Sequence, residues 1–241
     1  MLAVTRDGDV LTIELQRQER RNALNTELVA ALKTAFTTEL GAARAVVLTG
    51  QGPIFSAGAD LEGVYSEEFL DALLDLMSTI ESTPVPVIAA INGGAIGGGV
   101  QLALASDLRV MEPDSYLAIP AAKLGVSVDG WTIRRLAALI GGGPARTILL
   151  GADPVSATDA YNFGFANRIG TLADAQQWAK SIAELAPLSL RHMKLVLNDD
   201  GTRAAATQQQ RDALEAAWRS ADAQEGRLAR EQKRAAKFSG H

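Results

Sequence analysis

Five of the seven residues from Gly93 to Gly99 are glycine, and this run constrains the fold more than any other feature of the chain. It follows Val87 to Ile91, an unbroken apolar stretch that predicts a buried strand. It leads into a helix expected from about Val100 to Ala105. A strand-to-helix joint with so few side chains lets a ligand or a neighbouring strand approach the backbone closely. Backbone N–H groups at the start of such a helix favour partial negative charge. A second joint, Phe55-Ser56-Ala57-Gly58-Ala59-Asp60-Leu61, follows another short apolar strand at Ala45–Leu48. Together the two joints can offer two N–H groups to a single oxygen, which is an oxyanion hole.

Other glycine motifs fail on inspection. Ala95 and Leu102 stand where a G-x-G-x-x-G fingerprint needs glycine, and no Gly-Lys-Ser/Thr follows to make a P-loop. Ile54 occupies the first glycine position of a G-x-S-x-G elbow around Ser56. No histidine lies near Ser56 in sequence to activate it. Cysteine is absent, which removes disulfides, thiolate catalysis and cysteine metal sites. The two histidines are His192 and His241, so no metal site is expected. A net charge of −5 gives no footprint for nucleic acid. Charged residues or glycine pairs interrupt every apolar segment, so neither a signal peptide nor a membrane span is read, and a cytoplasmic protein is expected.

The remaining elements follow from periodicity. Leu11, Ile13 and Leu15 alternate with Thr12 and Glu14, a half-buried strand preceded by a hairpin turn at Asp7-Gly8 or Gly8-Asp9. Asn25 or Thr26 caps a helix with Leu28, Ala31, Leu32, Ala35, Phe36 and Leu40 on its apolar face. Phe69, Leu73, Met77 and Ile80 mark a second helix, Glu67 to Ile80, which Pro84 and Pro86 end. Short strands are expected at Leu108–Met111 and Tyr116–Ile119. From Trp131 onward a continuous series of helices is read, closing with a charged helix from Glu225 to Lys237. Strands that come early and alternate with helices predict an α/β fold. The expected organisation is a core over residues 1–190 and a helical region over 191–241.

With these segments in view, the chain resembles the crotonase (enoyl-CoA hydratase/isomerase) family. The resemblance rests on Arg21-Asn22-Ala23-Leu24-Asn25, on Phe55 to Leu61, on Ile91 to Gly99, and on Ser156-Ala157 with Gly164-Phe165-Ala166-Asn167-Arg168. Lys233-Arg234-Ala235-Ala236-Lys237-Phe238 also fits it. It spans nearly the whole chain, and the two glycine joints at this separation are highly specific. It implies a ClpP-like spiral of ββα units with a C-terminal helical region that drives trimerisation, often to a dimer of trimers. It implies a thioester carbonyl held by the N–H groups of Ala57 and Gly98. The backbone of Ala57, Gly58, Ala59, Asp60 and Leu61 would line the adenine site. Ala23 and Leu24 would lie beside coenzyme A, and Arg20 or Arg21 would meet its phosphates, unless those arginines only solvate a loop. Lys237 and Phe238 resemble the pair that closes the coenzyme site, sometimes from a neighbouring subunit. The only cofactor implied is the coenzyme A moiety of the ligand.

The chain also departs from the family pattern. Hydratases use two glutamates, and here those positions hold Gln101 and Ala121. Glutamine does not titrate and alanine has no polar group, while each general acid or base is worth about 10²–10⁴-fold in rate. Trp131 stands where hydratases have a glycine near the reacting water. With Leu117 and Leu136 it is read as lining for an acyl tail, the alternative for Trp131 being simply the core of the helix that follows. Asp129 resembles an acidic residue of dienoyl-CoA isomerases, but it also suits the cap of the helix beginning near Trp131. The short segment from Asp60 to Glu67 is read as a wider entrance for the tail. The closest resemblance is to a non-hydrating acyl-CoA carrier of the mycolic-acid pathway, which passes chains toward type II fatty-acid synthase proteins. The expectation is therefore an acyl-CoA carrier that lacks hydratase activity. The alternative is an enoyl-CoA isomerase or slow hydratase that uses Asp129.

Overall fold

The structure, a computed structural model, describes residues 1–60 and 66–240. It contains two compact units, residues 1–117 with 155–200 and residues 118–154 with 201–241. Each is described separately.

The first unit is built on a six-stranded sheet. Strands β1 (Leu2–Asp7) and β2 (Val10–Leu15) form an antiparallel hairpin with Asp7 opposite Val10, so Gly8-Asp9 is the turn and Gly8 supplies its positive φ of 58°. Strands β3 (Ala45–Gly50), β4 (Val87–Ile91), β6 (Leu108–Met111) and β9 (Arg168–Ile169) follow in parallel, giving the order β1-β2-β3-β4-β6-β9. Every residue of β3 and β4 is buried, as expected for parallel strands covered on both faces. A second, three-stranded sheet joins β5 (Gly94–Ile96), β7 (Tyr116–Ala118) and β8 (Val155–Ser156).

Helices pack onto this frame. α1 (Thr26–Thr38) is capped by the Asn25 side chain, which accepts from Leu28 N–H, and it buries Leu28, Leu32, Ala35 and Phe36. Leu40, read onto the same face, lies beyond its end. α2 (Glu67–Ser82) packs beside α1 and buries Phe69, Leu73, Met77 and Ile80. α3 (Gly98–Ala105) is buried along its whole length. After the short α6 (Ala157–Asn162), helix α7 (Leu172–Ala183) lays Ala175, Ala179, Ile182 and Ala183 against Val10, Val47, Ile88 and Val110 of the sheet. Its alanines allow a close approach, and each fully buried aliphatic side chain in that layer stabilises by about 1.5–3 kcal/mol. α8 (Pro187–Asn198) is pinned by one buried cation. Lys194 Nζ meets Asp107 Oδ2 at 2.7 Å and donates to the carbonyls of Ile80 and Val85. Burial holds the Lys194 ammonium below its ordinary pKa, against the pull of Asp107. Around this anchor α8 leaves Leu188, Leu195 and Leu197 exposed.

The second unit holds α4 (Gly130–Ile140), α5 (Gly142–Leu149), α9 (Gln208–Arg219) and α10 (Ala221–Glu231), with a 3₁₀ turn at Ala121–Leu124. α10 packs against that turn so tightly that a Cβ on Gly226 would lie 2.1 Å from the Leu124 carbonyl oxygen.

Three expectations need correction. The helix placed at Glu225–Lys237 runs from Ala221 to Glu231. Lys233, at φ 53°, turns the chain, with N–H bonds from Lys233 to Arg230 and from Arg234 to Ala229 closing the helix end. The late helical series is interrupted by the two-residue strands β8 and β9. The helix placed from Val100 opens two residues earlier, at Gly98.

Candidate functional site

The two glycine joints meet in the first unit. Residues 56–60 run as an irregular strand between two neighbours. On one edge, Ser56 N–H donates to Gly94 and Ile96 N–H to Ser56, which ties the segment to β5. On the other edge, Ala57 N–H donates to the Arg21 carbonyl at 2.9 Å, Leu24 N–H to Gly58, and Asp60 N–H to Leu24. In a regular strand alternate residues share an edge, which would place Ala57 and Ala59 together. Gly58 breaks that phase with φ 87°. Its carbonyl stays on the Leu24 edge while Ala59, flanked by the bonds of Gly58 and Asp60, turns its own N–H to the opposite side.

That side faces the second joint. A Cβ on Gly98 would lie 3.3 Å from the Ala59 nitrogen, and one on Gly58 would lie 3.1 Å from the Gly98 nitrogen and 2.5 Å from the Ile96 oxygen. Gly98 is the first residue of α3, so its N–H has no carbonyl within the helix to bond. The two amides brought together where the joints meet are therefore those of Ala59 and Gly98. The expectation for Ala57 is corrected, because its N–H is spent on Arg21. The Gly98 N–H lies at the positive end of a buried helix.

Sequence reasoning overlooked the residues that hold this junction. Asn22 is fully buried and left-handed, at φ 53°. Its amide donates to the carbonyls of Gln51 (2.9 Å) and Ile54 (2.8 Å), and its Oδ1 accepts from Arg17 N–H at 3.0 Å. Ser56 Oγ, also buried, donates to the Asn22 carbonyl and accepts from Gly58 N–H. Arg17 donates to the Ala23 carbonyl at 2.6 Å and pairs with Asp60 at 3.1 Å. Asn92 bridges the other joint, donating to the carbonyls of Gly50 and Gly52. The available signals differed: Asn92 follows the end of β4 and precedes a glycine, whereas Asn22 offered only the readiness with which asparagine enters the left-handed region.

The other expected positions fall as follows. Arg20 and Arg21 are exposed, Ala23 is half-buried, and Leu24 is buried. Leu61 and the segment thought to widen the tail entrance lie outside the described residues. Gln101 is buried in α3, three residues after Gly98, and Leu117 is buried in β7. Ala121, Asp129, Trp131, Leu136, Lys237 and Phe238 belong to the second unit. Asp129 caps α4: Oδ1 accepts from Thr132 N–H at 2.9 Å and Oδ2 from the Thr132 hydroxyl at 2.5 Å. Trp131 is buried, with the Arg203 guanidinium 4.5 Å from its ring centre. Arg134 holds the segment that carries Arg203 by donating to the Thr202 and Ala204 carbonyls. Leu136 is fully buried, and Lys237 and Phe238 are exposed. Among the described residues no group of acids and histidines is placed to hold a metal ion, and no helix is long and apolar enough to cross a membrane.

Comparison with known proteins gives a consistent answer. Residues 5–241 match the family model described as enoyl-CoA hydratase/isomerase. A probable enoyl-CoA hydratase of Mycobacterium tuberculosis is 50% identical over 242 residues, covering all of both chains. Among solved structures, methylmalonyl-CoA decarboxylase in complex with 2-nitronate-propionyl-CoA superposes with a TM-score of 0.92 at 26% identity, over 100% of this chain and 98% of that one. An enoyl-CoA hydratase/isomerase from Pseudoalteromonas atlantica gives 0.89 at 26% identity, over 99% of each.

Proposed function

The chain belongs to the enoyl-CoA hydratase/isomerase family, and from that premise we propose that it binds fatty acyl-CoA and carries the thioester without hydrating it. The thioester oxygen sits between the Ala59 and Gly98 amides. Preorganised N–H groups serve a polarised carbonyl well, above all at a helix start such as Gly98, and the closeness of these two amides supports the reading. The observation that carries the reading is Gln101. It is buried three residues from Gly98, where a titrating acid is needed to activate water, and an amide does not exchange a proton at neutral pH. Ala121 removes the second acid of the hydratase pattern. The relative named a probable hydratase favours the other reading, in which Asp129 supplies acid–base chemistry. Against it stands the cap, which directs both Asp129 oxygens to Thr132.

The remaining roles form part of the same proposal. Ala57, Gly58, Ala59 and Asp60 line the adenine, Ala23 and Leu24 flank the coenzyme, and Arg20 and Arg21 reach its phosphates. Leu117, Trp131 and Leu136 line the acyl tail. A homo-oligomer, trimer or dimer of trimers, accords with the exposed apolar side chains of α8. Delivery to type II fatty-acid synthase proteins in mycolic-acid synthesis would place the carrier in the cytoplasm.

The test is a single turnover with protein in excess over a long-chain 2-enoyl-CoA, following thioester absorbance and product mass together. Unchanged ligand recovered in complex with the protein is expected. Gain of one water above the protein-free control, lost in Asp129→Asn, overturns the carrier reading in favour of a hydratase. Changed absorbance at unchanged mass makes the protein an isomerase.

A further inference from the structure

The last residues of the chain are fixed by two carboxylates of α10. Beyond Glu231 the left-handed Lys233 reverses the chain, which then runs back along the helix toward its start. Glu225 receives it first. Its carboxylate is gripped at both oxygens by the Arg234 guanidinium, at 2.5 and 2.7 Å, and it also accepts the Lys237 N–H at 2.8 Å. One turn earlier on the same helix, Asp222 accepts the N–H of Ser239 at 2.6 Å and of Gly240 at 2.9 Å. The Arg234 contact and then the Lys237 amide draw the Glu225 carboxyl down to about 2.

These contacts leave a particular chemistry facing outward. Phe238 lies between two anchored positions, yet the residue is 45% exposed. The side chains of Arg230, Lys233 and Lys237 are exposed in the same stretch. An unburied aromatic ring among cations suits a ligand with an aromatic base and phosphates. Ordering such residues before binding removes the entropy cost of ordering them on binding.

We propose that Glu225 and Asp222 are positioning residues for the nucleotide end of the ligand, acting through the backbone of residues 237–240 to hold Lys237 and Phe238 ready for the coenzyme's adenosine and phosphates. This inference rests on the acyl-CoA reading above. It assigns to two acidic side chains, which repel phosphate if they touch it, a favourable effect on phosphate binding. Neither meets the ligand. Each accepts from main-chain N–H groups of the segment that does.

The experiment compares two ligands on the full chain by calorimetry: dodecanoyl-CoA, and S-dodecanoyl-pantetheine, which shares the thioester and tail but lacks the nucleotide. In Glu225→Ala, dodecanoyl-CoA binding weakens about tenfold, the scale of one charge-assisted contact, while the pantetheine thioester is unaffected. Lys237→Ala, at an exposed position that carries no fold, gives the same selective loss. Once Lys237 is gone, adding Glu225→Ala costs little more. Equal weakening of both ligands, or no change in either, overturns the positioning role while leaving thioester binding standing. Failure of the parent protein to bind either thioester overturns the acyl-CoA reading and this inference with it.

Discussion

The junction of the glycine joints and the C-terminal segment are both short irregular stretches held in one conformation, but by opposite means. At the junction, main chain packs on main chain: Gly58 against Ile96, with buried Asn22 and Ser56 satisfying the carbonyls and amides left over. At the C-terminus, Glu225 and Asp222 reach across open surface to hold amide groups. The first arrangement leaves no room for a Cβ on Gly58, Gly93 or Gly99 and is largely shielded from solvent. The second has room around it and is screened by water and salt. The proposed thioester site relies on the first arrangement, in which the position of a main-chain N–H is fixed by packing.

The sharpest way to break this contrast is Gly58→Ala. The new methyl group meets the Ile96 oxygen at 2.5 Å in a conformation alanine rarely adopts. A loss of about 3 kcal/mol or more in unfolding free energy is expected, with thioester binding lost as Ala59 turns away. Denaturant melts and calorimetry check this, and a variant as stable as the parent would mean that the strand phase does not depend on Gly58.

Asn22→Ala is the next largest effect. It strands the carbonyls of Gln51 and Ile54 and the Arg17 amide. A buried unsatisfied group costs about 1–3 kcal/mol, so a loss of about 2–4 kcal/mol is expected in the same melts. Asn22→Asp keeps the acceptor but sets a buried carboxylate oxygen against the Gln51 and Ile54 carbonyls, so it should cost at least as much as Asn22→Ala.

Acid sharpens the contrast with the smallest effect. Glu225 titrates at about 2 in the folded chain, below its ordinary 4.5. Its contribution is therefore complete above pH 4.5 and is lost as pH falls toward 2. The amide signal of Lys237 should follow a carboxyl titration with its midpoint near 2. The Ala57 amide, held by a carbonyl, should show no such step of its own over that range. A midpoint near 4.5 would mean that the segment is not held by Glu225.

The same contrast separates what the sequence revealed from what it concealed. Periodicity over five or more residues located β2, α1 and α2 to within a residue or two, because burying one face demands the pattern, and β4 was located by its unbroken apolar run. The Asn25 and Asp129 caps were readable because their side chains bond within three residues of themselves. β8 and β9 are two residues long and carry no period. The end of α10 was missed because Lys233, an ordinary helix former, adopts the conformation usually left to glycine. Choosing Ala57 over Ala59 failed for a further reason. Both are alanines beside Gly58, and only the φ of Gly58 decides which amide turns toward Gly98.

One consequence of that geometry concerns heredity. Amides at Ala59 and Gly98 belong to the main chain, so among the standard residues only proline deletes the N–H itself, and any other replacement can do no more than crowd or displace it. Gln101 is different, because a single nucleotide substitution separates a glutamine codon from a glutamate codon. Under the acyl-CoA reading, descent can switch an ionisable group on or off at position 101 while most replacements elsewhere leave the two main-chain amides in place.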